Sequence, residues 1–144
     1  MVIGDALRRC AINYPGRLAI QDNYGNHYPA GYSYTYGELF ETVNRLANGF
    51  ISLGLGKGDR VAVQTGTGMG YVLSLLALAK AGIIIAPISP AFMEEEIAYQ
   101  IEDSGARAFV LDADIFTTRV RKIKAKLKSV DVFISIGGDR PCDY

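Results

Sequence analysis

A chain of 144 residues is long enough for one buried core, and a hydrophobic share of 49% sets it apart from disordered chains. Fifteen basic residues balance fifteen acidic ones, and a net charge of zero offers no chain-wide field for nucleic acid or a membrane surface. Cys10 and Cys142 form no CxxC pair, and Met1-Val2-Ile3-Gly4-Asp5 lacks a basic-then-apolar leader, so the expected setting is a reducing cytoplasm.

The first predicted element is a short helix from Asp5 to Asn13, capped by Asp5 and ended by Pro15-Gly16. A strand over 18–22 follows. Residues 23–36 carry Gly25, Pro29 and Gly31 among five tyrosines, which suggests a hairpin or wide loop; the tyrosines could line a ligand or, as good an account, pack across strands. Thr35-Tyr36-Gly37-Glu38 is a capping box. The helix it opens has Leu39, Val43, Leu46, Ala47, Phe50 and Ile51 at the three-and-four spacing of one buried face, and Gly54 suits its left-handed end.

Residues 60–64 form the next strand, and residues 71–81 a nearly all-apolar helix closed by Gly82. The stretch from Tyr71 to Ile88 is punctuated by Ser74, Lys80, Gly82 and Pro87, so it reads as helix plus strand and not as a membrane span. Ile83 to Ala86 is a continuous apolar strand, expected to be covered on both faces. Glu94-Glu95-Glu96 starts a helix that runs to Asp103. A strand at 108–111, a basic amphipathic helix at 115–127 and a strand at 132–136 complete the order. In that last helix Phe116, Val120, Ile123 and Leu127 point inward. The alternation implies a single α/β domain over 1–144: three layers, a mostly parallel sheet with helices on both faces, and an N-terminal hairpin.

The segment that invites a functional reading is Thr65-Gly66-Thr67-Gly68, between a strand and a helix, where backbone amides could hold a phosphate. Its glycines fall at the first, third and fifth positions of Gly66 to Gly70. A dinucleotide fingerprint needs the first, third and sixth, with an acid about 20 residues on. No Asp or Glu lies between Asp59 and Glu94, so a plain turn is the better account and these four are candidates only. His27 stands alone in a turn-rich loop without metal-ligand spacing. The adjacent glutamates cannot converge on one ion. The cationic run Arg119, Arg121, Lys122, Lys124, Lys126 and Lys128 lies opposite the apolar stripe and lacks exposed aromatics, so it reads as a solvated face and not a nucleic-acid surface. No residue qualifies as catalytic or metal-binding.

Five blocks in order carry a family resemblance: Thr35 to Leu39 with Val43 to Phe50; Leu53 to Val63; Leu76 to Gly82; Ala86 to Pro90; and Glu96 to Ala106. Together they resemble the N-terminal part of the AMP-forming acyl-CoA synthetase, adenylation-domain and luciferase superfamily. The chain departs from the family in reading Gln64-Thr65-Gly66-Thr67-Gly68 where an asparagine is usual. The resemblance implies a parent that uses ATP and magnesium to turn a carboxylate into an acyl-adenylate, then commonly transfers it to coenzyme A. It also implies that the catalytic motifs lie downstream, so these 144 residues are expected to be inactive alone. Two other readings stay open. One is a stand-alone nucleotide-binding module. The other is a non-catalytic interaction domain that self-associates through uncovered apolar surface.

Overall fold

The structure, a computed structural model, describes residues 3–23, 25 and 28–137. His27 and Cys142, both singled out in the sequence, lie outside the described residues. Two compact units are present, one built from residues up to Lys57 together with Thr67–Ile83, the other from Gly58–Gly66 together with residues from Ile84 onward.

The first unit holds α1 (Ile3–Asn13), the antiparallel pair β1 (Leu18–Gln21) and β2 (Ser33–Thr35), α2 (Tyr36–Ser52) and α3 (Met69–Lys80). Helix α1 begins before Asp5, which therefore sits in the first turn instead of capping it. The capping box forms: Glu38 N–H donates to Thr35 Oγ1 at 3.4 Å and Thr35 N–H donates to Glu38 Oε2 at 2.9 Å. Leu39, Val43, Ala47 and Phe50 are buried, and α2 packs on both α1 and α3. Leu46 and Ile51 do not join them; they are 38% and 53% exposed. At 100° per residue these two positions flank the buried stripe on either side, so the apolar face read from sequence was too wide. Helix α3 is closed by Gly82. Its φ of +73° favours glycine, and so does its close approach to Lys57, whose Cγ would lie 3.2 Å from a Cβ at this position.

The second unit is a four-stranded parallel sheet in the order β4-β3-β5-β6, with β3 at Arg60–Gln64, β4 at Ile84–Pro87, β5 at Ala108–Asp112 and β6 at Val132–Ile136. Its core includes Ala62, Ile97, Ile101, Phe109, Leu111, Val120, Ile123 and Phe133, contributed by the sheet, by α4 (Glu94–Ser104) and by the helical segment that follows β5. Strand β4 corrects an expectation. It is an edge strand with Ile84 52% exposed, so its apolar run is not covered on both faces. An edge also explains how Pro87, which has no N–H to donate, closes a strand.

The helix expected at 115–127 is a composite. It comprises α5 (Ala113–Ile115), a π-helical turn (Phe116–Val120), α6 (Arg121–Ile123) and a 3-10 turn (Lys124–Lys126). Val120, Ile123 and Leu127 are buried as the periodicity indicates, while Phe116 is half-buried against Phe133. A mixed α/β class with a parallel sheet flanked by helices and a separate N-terminal hairpin is what the alternating pattern indicated.

Candidate functional site

The four candidates Thr65, Gly66, Thr67 and Gly68 form the connection from β3 to α3, and the chain crosses from the sheet unit to the helical unit between Gly66 and Thr67. A phosphate there would need free backbone N–H groups. In the sheet unit, Gly66 N–H donates to Asp112 Oδ2 at 2.7 Å. In the helical unit, the N–H of Met69, first residue of α3, donates to Asp22 Oδ2 at 3.0 Å, and Asp22 Oδ1 accepts from Gly25 N–H at 3.1 Å. Two carboxylates of the chain itself thus take the part an external anion would play. Asp22 is 3% exposed and supplies the negative charge that the positive end of α3 favours. A phosphate brought to either amide would have to displace an anion and sit beside it. Neither the Gly66 nor the Met69 amide is open to a phosphate.

The glutamate triplet diverges as adjacent helical residues must. Glu94 pairs with Lys122 at 3.1 Å and Glu95 with Lys126 at 2.8 Å, while Glu96 Oε2 accepts from Met93 N–H at 2.9 Å. A backbone hydrogen bond at its own N–H first, and the Lys122 partner second, hold the Glu94 carboxyl below the usual range. No three His, Cys, Asp or Glu among the described residues are grouped to hold a metal ion.

The cationic run is more engaged than a solvated face. Arg119 donates to the carbonyls of Pro90 at 2.7 Å and Phe92 at 2.8 Å, and Lys124 Nζ lies 5.0 Å from the Phe133 ring centre. Arg107, which the sequence did not mark, joins the amino ends of three strands. Its guanidinium contacts Asp59 at 3.0 Å before β3 and Asp131 at 3.3 Å before β6, and Arg107 itself precedes β5. No local pattern could have flagged it, because its partners lie 48 and 24 residues away. In the hairpin, Tyr28 and Tyr32 of the loop and Tyr34 of β2 cluster with ring centres 4.9 to 6.4 Å apart; β1 carries no tyrosine, so the rings pack along one arm and not across the two strands. Burial first, then a hydrogen bond with Tyr28, raises the Tyr34 phenol above 10.0.

The fold places the molecule among mixed α/β proteins with a parallel sheet flanked by helices. The chain belongs to the AMP-binding enzyme family, which it matches over residues 7–144. It is 32% identical over 121 residues to the mitochondrial medium-chain acyl-CoA ligase ACSF2 of Macaca fascicularis, covering 84% of this chain and 19% of that protein. It is 37% identical over 106 residues to the 3-hydroxypropionyl-coenzyme A synthetase of Metallosphaera sedula, covering 74% of this chain and 16% of that one. A crystal structure of a putative long-chain-fatty-acid CoA ligase from Rhodopseudomonas palustris superposes with a TM-score of 0.85 at 26% identity, over 98% of this chain and 34% of the other. The chain thus spans about a fifth of the length of the curated relatives it matches.

Proposed function

We propose that this chain is the N-terminal part of an AMP-dependent acid–thiol ligase. The parent would activate a carboxylate with ATP and magnesium to an acyl-adenylate, then pass the acyl group to coenzyme A. The observation that carries this reading is the family match from residue 7 to 144 on a fold that superposes with an acyl-CoA ligase over nearly the whole chain. The 144 residues act as one N-terminal subdomain, a scaffold without catalytic residues of its own. Loop 65–68 serves as a pinned connection, consistent with both amides being held by Asp112 and Asp22. Among the described residues no helix is long and apolar enough to cross a membrane. A cytoplasmic site of action for the parent is part of this proposal, although the ACSF2 relative is mitochondrial.

Sequencing the gene past the codon for Tyr144 tests the parentage. The expected result is an in-frame continuation into a Ser/Thr/Gly-rich loop bearing a lysine. A stop codon directly after Tyr144 in the native gene would contradict the reading.

A further inference from the structure

The carboxyl ends of β3 and β5 form the point at which the sheet's connections diverge, since β3 leads on to β4 on one side and β5 to β6 on the other. In open parallel sheets such a point is where small polar occupants collect. Two side chains there are buried with unmet hydrogen-bonding capacity. Gln64 is fully buried and Thr65 is 5% exposed, and neither Gln64 Oε1 nor Thr65 Oγ1 has a partner among the described residues.

The orientation of the Gln64 amide is fixed by its neighbour. Its Nε2 donates to the carbonyl of Ser89 at 2.8 Å, and turning the amide over would set two acceptors against each other. Oε1 is therefore a committed acceptor that needs a donor. Buried polar atoms in native proteins are nearly always paired, because leaving one unpaired forfeits its hydration for nothing in return.

The chemistry of the occupant follows from what surrounds these atoms. Asp112 places a carboxylate on the adjacent Gly66 amide, so the neighbourhood is negative and that backbone donor is already engaged. An anion is disfavoured, and an acceptor alone could not satisfy Oε1. A donor is required, small enough for a position with almost no exposure, and water is the smallest. We propose that the carboxyl end of β3 is a hydration site, in which internal water donates to Gln64 Oε1 and exchanges a hydrogen bond with the Thr65 hydroxyl. Gln64 ends β3 and Thr65 lies just past it, and each orphaned atom is assigned its own water position. A protein of this length carries about five buried waters by the usual density, and these two atoms specify where two of them sit.

Thr65→Val tests the proposal without a change of shape. If a water is bonded to the hydroxyl, the variant strands that water, and thermal unfolding of the full chain shifts down by about 3 °C or more. Thr65→Ser, which keeps the hydroxyl and loses a methyl, melts above Thr65→Val. High-resolution electron density then shows a water oxygen within about 3.2 Å of Thr65 Oγ1 and another by Gln64 Oε1. A Thr65→Val protein that melts at or above the wild type, or density with no water at these atoms, overturns it.

Discussion

Asp22 is the residue on which most of the helical unit's polar design turns. Its carboxylate is buried and accepts from Gly25 in the hairpin loop and from Met69 at the start of α3, so one side chain ties the turn to the helix end. Removing it leaves two N–H groups without their acceptor and α3 without its N-terminal charge. Asp22→Ala should lower the unfolding free energy by about 2 kcal/mol, the range for losing charge-assisted bonds at a helix start. Urea denaturation would read this as a lower midpoint with an unchanged slope, and Asp22→Asn should lose less because it keeps an acceptor.

Glu38 makes a second prediction at this scale. The Thr35 backbone N–H first, and the Thr35 hydroxyl second, hold its carboxyl below the ordinary 4.5. A depressed folded-state value means that the stabilisation is present above 4.5 and is lost as pH falls through that lower value. Glu38→Gln mimics the protonated side chain, so wild type should melt above the variant at pH 7 and the gap should close on acidification. A gap independent of pH would contradict the assignment.

At the scale of elements, the loop between β4 and α4 is held by Arg119, which reaches it from the π-helical turn. In and beside that turn the hydroxyls of Thr117 and Thr118 donate to the carbonyls of Ala113 and Asp114. Arg119→Met keeps most of the apolar stem and removes both donors to Pro90 and Phe92. The expected loss is about 1–2 kcal/mol, with faster amide exchange at Phe92, whose N–H donates to Ser89 O. Lys122→Ala should change stability by less than about 0.5 kcal/mol, because the Lys122 side chain is 66% exposed in its ion pair with Glu94.

Local signals are what the sequence carries well. The Thr35–Glu38 box, the left-handed glycines Gly54, Gly82 and Gly105, and the bounds of β3 and β6 all follow from rules that act within a few residues. The apolar run at 83–86 could not say that β4 is an edge strand, since a run of isoleucines looks the same at an edge or a centre. Nor could spacing show that Leu46 and Ile51 fall outside the stripe, because both satisfy a three- or four-residue step from a buried neighbour. The candidate loop was legible as a position and not as chemistry. Asp112 takes the Gly66 amide from 46 residues away, and Asp22 takes the Met69 amide from 47.

At the scale of the whole molecule, the family assignment and the geometry point the same way. The chain matches AMP-binding enzymes over residues 7–144, and among the described residues Gly66 N–H donates to Asp112 and Met69 N–H to Asp22. On the reading proposed above, its part in the parent's carboxylate activation is that of a scaffold.

The most direct test is pyrophosphate release by the purified 144-residue chain, supplied with ATP, magnesium, coenzyme A and short-, medium- and long-chain carboxylates. The account predicts no release above the carboxylate-free blank. Carboxylate-dependent pyrophosphate release by this chain alone would contradict it.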